Sequence, residues 1–246
     1  LNAEILSMDS MLVYRHMDLG TAKPSAEELA KIPHHLFDLV DPKEDFSVAK
    51  WLQCAKVVEQ DLEARGKAAL YVGGTNLYLK ALTSGLLTVP EASHELRLEL
   101  KAEWETRDGQ QRLRKELQDV DPGLIKKVHV NDTKRLLRGI EVYRATGRSL
   151  SDWQSQWKSE PIIGEPAVAL HWPREILRDR VAQRFETMMR QGFLDEIRKI
   201  QCNAGFGSTA GKALGYRQMI EHLSENCSLE VAQERSITLT RTYIRR

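Results

Sequence analysis

Ala68-Ala69-Leu70-Tyr71-Val72-Gly73-Gly74-Thr75 decides the fold. Its first five residues carry no charge and read as a buried strand, and the glycine pair turns the chain at the strand's carboxyl end. Leu77 to Leu82 then begins a helix. Upstream, Ser47 can cap a helix whose apolar positions Val48, Trp51, Leu52, Ala55, Val58 and Leu62 keep a helical period, with Gly66 at its C′ end. Before that, Ala3-Glu4-Ile5-Leu6-Ser7 reads as a short strand ending at Met8-Asp9-Ser10. Parallel strands need a crossover, and a helix supplies it. Strand, helix, strand, Gly-rich turn and helix in that order therefore predict a parallel α/β sheet.

Further along, the pattern from about His94 to Gln156 is helical, charged and poor in strand signal. Val168 to Trp172 alternates again and predicts a strand. Helices are expected around Ile176–Met189, Leu194–Ile200, Lys212–Leu223 and Leu229–Arg246. The simplest arrangement is a discontinuous α/β core, residues 1–92 and 165–246, interrupted by a helical insertion, residues 93–164.

Composition narrows the function classes. The chain has 246 residues, enough for one large domain or one with an insertion. Apolar residues make up 41% and charged residues 29%, which suits a globular protein with a full core. No apolar run approaches the ~18–20 residues of a membrane span. Leu1 to Ser10 carries no basic leader, so no signal peptide is expected. Cys54, Cys202 and Cys227 are odd in number, widely spaced and without a CxxC, which predicts reduced thiols, a cytoplasmic location and no structural zinc. The net charge of +1 gives no bulk argument for nucleic acid, so any such argument rests on local clustering. The chain opens on Leu1-Asn2-Ala3-Glu4 and closes inside a helical run at Arg245-Arg246, and so reads as an interior piece of a longer protein.

Several residues are placed to carry chemistry. Asp9 and Ser10 follow a strand, where ligands bind in open α/β sheets. A carboxylate there can serve as a general base or oriented acceptor, and equally as a loop cap. Gly73 and Gly74 can bring backbone N–H groups to a phosphate, with Thr75 adding a hydroxyl; a tight turn with an N-cap Thr explains the same triplet. Lys23, in the loop Asp18 to Pro24, faces either an anion or solvent, solvent being the commoner outcome. His34 and His35 lack a third ligand at clear spacing, so structural or solvent roles are favoured over metal.

The densest charge cluster runs from Lys126 to Arg148, with seven Lys/Arg against Asp132 and Glu141. Asn131 or Asp132 can cap a helix there, with Leu136, Ile140 and Tyr143 forming its apolar stripe. Lys134 and Arg138 lie one turn apart beside Arg135, a face that suits a phosphate backbone or plain solvation. Arg241, Arg245 and Arg246 form a second basic patch. Arg174, Arg178, Arg180 and Arg184 fall on one helix, where one can reach a pyrophosphate or all can pair with nearby acids.

These strings occur together in an order that resembles the bacterial tRNA dimethylallyltransferase family, the tRNA isopentenyltransferases. The matching stretches are Asp9 to Arg15, Met17 to Pro24, Pro33 to Pro42, Val72 to Tyr78, Asn131-Asp132 with Arg135 and Arg138, Glu141 to Tyr143, Thr146-Gly147 and Leu214 to Gln218. The resemblance implies a P-loop-kinase-like parallel sheet with a helical insertion that contacts tRNA. It implies transfer of a dimethylallyl group from dimethylallyl diphosphate to N6 of the adenosine beside the anticodon, with Mg²⁺, by a cytoplasmic monomer. It gives Asp9 the amine proton and puts Thr75 near the leaving diphosphate, with Gly73, Gly74 and Arg184. Ser10, Met11 and Leu12 then touch the target base. Arg97, the run Lys134, Arg135, Leu136, Leu137 and Arg138, and the run Lys212, Ala213, Leu214, Gly215 and Tyr216 contact tRNA. No protein residue is assigned as a metal ligand.

The family's opening G-x-x-x-x-G-K-[ST] loop is absent from this sequence and is expected upstream of Leu1. A chain without that loop is expected to bind diphosphate poorly and to be impaired in transfer. Three rivals stand beside the leading reading. They are an isopentenyltransferase acting on free adenine nucleotides, a non-catalytic RNA-binding fragment and a small-molecule kinase. The charge cluster in the insertion favours tRNA over the first, and the Asp9-Ser10 string argues against the last.

Overall fold

The computed structural model describes residues 2–86, 89–90, 92–155 and 167–244. Three strands, β1 (Ala3–Ser7), β2 (His34–His35) and β3 (Ala68–Val72), form a parallel sheet in the order β2-β1-β3. Twelve α-helices are described. They are α1 (Ala26–Lys31), α2 (Val48–Ala64), α3 (Asn76–Ser84), α4 (His94–Trp104), α5 (Arg107–Val120) and α6 (Pro122–Ile125), then α7 (Thr133–Thr146), α8 (Leu150–Ser155), α9 (Arg174–Arg190), α10 (Phe193–Asn203), α11 (Tyr216–Leu223) and α12 (Leu229–Tyr243). The chain divides into two compact units. One comprises Leu1–Ala81 with Glu165–Arg246, the other Leu82–Gly164.

In the first unit β1 is the central strand, in register with β3 from Ala3↔Ala68 to Ser7↔Val72. The crossover between them is α2, whose N-cap Ser47 accepts from the Lys50 N–H as its sequence predicts. Trp51 of α2 is fully buried; its indole N–H donates to the Ser7 carbonyl at 3.1 Å, and its ring stacks on Tyr78 of α3 at 4.5 Å. One side chain thus docks α2 against both β1 and α3.

Two expectations fail here. The strand Ala68–Val72 forms but is not buried: Leu70 and Val72 are 44% and 50% exposed. Among the described strands β3 lies at an edge, and nothing described covers the face carrying these residues. Val168 to Trp172 forms no strand, and Val168 and Leu170 are 89% and 87% exposed. Its alternation satisfies the side-chain period of a strand, but a strand also needs a neighbour to share hydrogen bonds, and none lies beside it among the described residues. Gln156, the proposed boundary near residue 165, and the Arg245-Arg246 end of the second basic patch lie outside the described residues.

The second unit holds five helices around Leu100, Leu113, Leu117, Leu124, Leu136, Ile140, Val142 and Leu150. At Gly139 a Cβ would meet terminal methyls of Leu124 and Leu117 at 2.5 and 2.8 Å, so a larger residue there would make both leucines repack. Buried Asp121 caps α6 through the Leu124 N–H at 2.9 Å, and its other oxygen accepts from the Ser151 N–H at 2.9 Å.

A charge cluster pins the sheet at the amino end of β1. The buried Glu4 carboxylate accepts from the Arg65 guanidinium at 2.7 Å, from Lys67, and bonds His35 Nε2 at 2.7 Å. Arg65 caps α2, Lys67 precedes β3 and His35 lies in β2, so one carboxylate ties three neighbours to β1. His35 accordingly has a structural role. The hydrogen bonds from Arg65, Lys67 and His35 hold the Glu4 carboxyl well below its ordinary value of 4.5. A carboxyl lowered in the folded state contributes fully above its unfolded value and loses that contribution as pH falls through the folded one. The melting temperature is therefore expected to drop as pH falls below about 4.5. Glu4→Gln should melt lower at pH 7 and show a shallower acid limb, and thermal melts from pH 7 to 3 check both.

Candidate functional site

The carboxyl ends of β1 and β3 converge on one another. At Gly73 a Cβ would meet the Met8 carbonyl oxygen at 2.3 Å, so this close approach requires glycine. At Gly74 a Cβ would meet nothing. The approach lets the Met8 N–H donate to the Val72 carbonyl at 2.8 Å and the Ser10 N–H donate to Thr75 Oγ1 at 3.1 Å. Asp9 is thereby held at the strand end. Its Oδ1 accepts from the Met11 N–H at 2.7 Å and the Leu12 N–H at 3.4 Å. Its Oδ2 has no hydrogen-bond partner among the described residues. The two readings of Asp9 thus fall on separate atoms: one oxygen caps a turn and the other is uncommitted.

A cavity of about 1020 Å³ opens here, within the first unit. One wall comes from Asp9, Ser10, Met11, Gly20, Thr21 and Thr75. The opposite wall comes from α9, the segment Lys212 to Tyr216, and the end of α12. Most of its lining is apolar, including Leu177, Val181, Phe185 and Met188. Arg180 and Arg184 share its rim on α9. Arg184 has no ion-pair or hydrogen-bond partner among the described residues, while Arg180 stacks over the Trp172 ring at 4.0 Å.

Glu196 joins the two walls. Its Oε2 accepts from the Asp18 N–H at 3.0 Å and the Leu19 N–H at 2.7 Å, with the Gly20 N–H 3.5 Å from Oε1. Successive N–H groups aimed at one anion form a nest. The Tyr216 hydroxyl donates to Oε1 at 2.6 Å. Burial, and then the adjacent Glu196 carboxylate, push the Tyr216 phenol far above its ordinary value, so it remains a donor. The Tyr216 ring packs edge-on to Phe193 at 4.9 Å. A Cβ at Gly20 would meet that Tyr216 ring at 2.3 Å. Lys23 is also a tie rather than a solvated cation. Its side chain is 7% exposed, and its ammonium donates to the Tyr14 carbonyl and Asp18 at 2.6 Å and to Asp38.

The structure therefore brings Asp9, Ser10, Met11, Thr75, Arg184, Lys212, Ala213, Leu214, Gly215 and Tyr216 around one cavity. Leu12, Gly73 and Gly74 do not line it. Tyr216 and Ala213 are buried, leaving Lys212 and Leu214 as the exposed side chains of their run. In the second unit Leu136 is a core residue whose side chain does not reach the surface, because it fills the stripe that holds α7 in place. Lys134 is exposed, and Leu137 is half-buried against the core. Arg97 and Arg138 converge on Glu141 at 3.0 and 2.6 Å, and Arg135 pairs with Asp132, the N-cap of α7. Arg144 pairs with Glu103 and Glu116. Part of the basic cluster is thus already paired within its own unit. Sequence reasoning missed Glu196, which in the first turn of α10 looks like an ordinary acid at a helix N-terminus.

The first unit is thus a parallel α/β core with a carboxylate, hydroxyls and a guanidinium around an apolar-lined cavity, the layout of an enzyme site. The IPP transferase family profile matches residues 12–246, and the chain belongs to that family. A tRNA dimethylallyltransferase of Syntrophobacter fumaroxidans is 42% identical over 248 residues, covering 100% of this chain and 72% of the relative. One from Stenotrophomonas maltophilia strain K279a is 39% identical, covering 100% and 80%. The solved full-length tRNA isopentenylpyrophosphate transferase of Bacillus halodurans superposes with a TM-score of 0.68 at 34% identity, covering 99% of this chain and 76% of that one. A eukaryotic dimethylallyltransferase acting on tRNA gives 0.80 at 26% identity, covering 98% and 61%.

The paired glycines differ in what a side chain would meet. Gly73→Ala is expected to lower stability by forcing β1 and β3 apart. Gly74→Ala should melt within about 1 kcal/mol of the parent, the range of a substitution made into open space. Chemical denaturation of both variants checks the contrast.

Proposed function

We infer that this chain prenylates tRNA, moving a dimethylallyl group from dimethylallyl diphosphate to N6 of the adenosine beside the anticodon. The observation that carries the chemistry is the uncommitted Asp9 Oδ2 at an apolar-lined cavity whose rim holds an unpaired guanidinium. An aromatic amine is a weak nucleophile, and its proton becomes acidic only as the new bond forms. The N6 lone pair attacks C1 of the dimethylallyl group, the C1–O bond breaks, and diphosphate leaves with the electron pair. Asp9 Oδ2 receives the N6 proton while Oδ1 keeps Met11 and Leu12 in place. Arg184 and the Thr75 hydroxyl meet the charge gathering on diphosphate. Ser10, Met11 and the Lys212–Tyr216 run border the flipped base, which leaves its stack to enter the cavity.

Mg²⁺ fits this setting. It accepts few protein ligands and prefers phosphate and water oxygens, and the oxygen donors Thr75 and Ser10 lie together at the strand ends. When bound it neutralises the leaving group. In the second unit Lys134, Arg135, Arg138 and Arg97 meet the phosphates of the anticodon arm; Leu136 and Leu137 support that face from the core. Glu141, only 13% exposed, accepts from both Arg97 and Arg138 and so holds the two guanidiniums in place on that face. The enzyme acts as a cytoplasmic monomer. Among the described residues no helix is long and apolar enough to cross a membrane.

The test is transfer from dimethylallyl diphosphate to an anticodon stem-loop, with AMP in parallel, using the full-length protein and Mg²⁺. Prenylated RNA without prenylated AMP is expected; prenylation of AMP alone would replace this reading with a free-nucleotide enzyme. Asp9→Asn keeps the turn-capping oxygen and removes the base. It should cut kcat by about 10²–10⁴-fold with RNA affinity unchanged. Lys134→Ala with Arg138→Ala should weaken stem-loop binding and flatten its dependence on salt, as a titration at several ionic strengths would record.

A further inference from the structure

Arginine pairing is uneven across the molecule. Ten arginines elsewhere (Arg15 and Arg144 among them) form ion pairs with Asp or Glu. Among the described residues none of the five arginines of α9 does, although Glu175, Asp179 and Glu186 lie on the same helix. Of the two alternatives for these arginines, pairing with nearby acids is not found among the described residues. Arg180 and Arg184 are accounted for by the large cavity. Arg174 and Arg178 point elsewhere. With Arg241 of α12 they line a second cavity of about 250 Å³, together with Glu175 and Ile244.

The three guanidiniums are arranged as a group. Arg241 Nη2 donates to the Arg178 carbonyl at 3.3 Å, which fixes α12 to α9 at this point. Arg241 Nε is buried with no hydrogen-bond partner among the described residues. A buried unsatisfied donor on a cation is costly and is relieved by an anionic acceptor. Three cations against the single carboxylate of Glu175 leave an excess of two positive charges, suited to a singly charged phosphodiester. Ile244 borders this cavity and the large one alike, so the two are neighbours along one wall.

We propose that Arg174, Arg178 and Arg241 form a phosphate-binding site for the RNA backbone, holding a phosphodiester close to the nucleotide whose base enters the large cavity. This site rests on the RNA-acceptor reading above and adds to it an RNA-binding position within the α/β unit. Guanidinium forks grip phosphate oxygens bidentately, and a phosphate held beside a flipped nucleotide fixes its register without reading sequence.

The experiment replaces Arg174, Arg178 and Arg241 by Gln, singly and together, in the full-length protein. Anticodon stem-loop affinity is measured at several salt concentrations, with kcat and the KM for dimethylallyl diphosphate alongside. The triple variant should bind RNA at least several-fold more weakly, with a log–log salt slope shallower by about 0.7 for each phosphate no longer neutralised. Donor KM should stay at the wild-type value, and an unchanged melting temperature and far-UV spectrum of the variant certify the fold. The matching Arg→Lys variants should keep most of the salt slope. Wild-type RNA affinity and slope in the triple Gln variant would overturn the site and leave the transferase reading standing. A raised donor KM with unchanged RNA affinity would likewise overturn it, assigning the cluster to the diphosphate. Wild-type protein that neither binds nor prenylates the stem-loop would overturn the RNA reading, and this site with it.

Discussion

The cavity exists because one carboxylate holds its two walls together. Glu196 takes N–H groups from Asp18 and Leu19 on one wall and the Tyr216 hydroxyl on the other. Those walls belong to segments separated by most of the chain, with the whole second unit inserted between them. Glu196 is half-buried, and its bonds to the nest and to the phenol hold both walls against the same carboxylate. The arrangement is stiff for a second reason: Tyr216 lies so close over Gly20 that no side chain fits between them. Lys23 adds a parallel constraint, tying the loop after Asp18 back to Tyr14 and Asp38. Asp9 and Lys212 face one space only because these bonds set the distance between the segments that carry them.

Strand β1 divides its labour along its length. At its amino end Glu4 is consumed by Arg65, Lys67 and His35, and no part of that carboxylate is left for a ligand. Beyond its carboxyl end Asp9 is only half consumed. This polarity follows from a parallel sheet, where the loops after the strands gather at one edge and open a crevice there. The same kind of acidic group thus performs a structural task at one end and keeps a free oxygen at the other. Gly73 is what permits this, since the strand ends meet only where no Cβ intervenes.

What could be read from the sequence is what depends on near neighbours. Strands Ala3–Ser7 and Ala68–Val72, the helix capped by Ser47, and the Asp132 cap of α7 all follow from local periodicity and capping chemistry. Asp9, Ser10 and Thr75 are legible as site candidates because each follows a predicted strand. Residues whose roles depend on distant partners are not legible. Glu196 meets Asp18 across 178 positions, and Lys23 reads as solvated until Asp38 and the Tyr14 carbonyl are brought to it. Val168 to Trp172 fails for the same reason in reverse. Alternation is a property of one segment, but a strand is a property of two. The burial of Leu136 follows the helical spacing that puts it on one apolar stripe with Ile140.

Net charge conceals how the cations are used. The count of 36 basic against 35 acidic residues looks neutral, yet pairing is not spread evenly. In the second unit Arg97 and Arg138 share Glu141, and Arg144 bridges Glu103 and Glu116. These guanidiniums are held in fixed positions by acids that are themselves largely buried, Glu141 at 13% and Glu103 and Glu116 at 23% and 26% exposure. On α9 the acids are present in sequence but, among the described residues, none pairs with an arginine of that helix, so the guanidiniums there stay unneutralised. The paired face carries little uncompensated charge, whereas the arginines of α9 keep a standing positive field beside the cavity. A net charge of +1 can in this way conceal a local concentration of cations that no carboxylate neutralises.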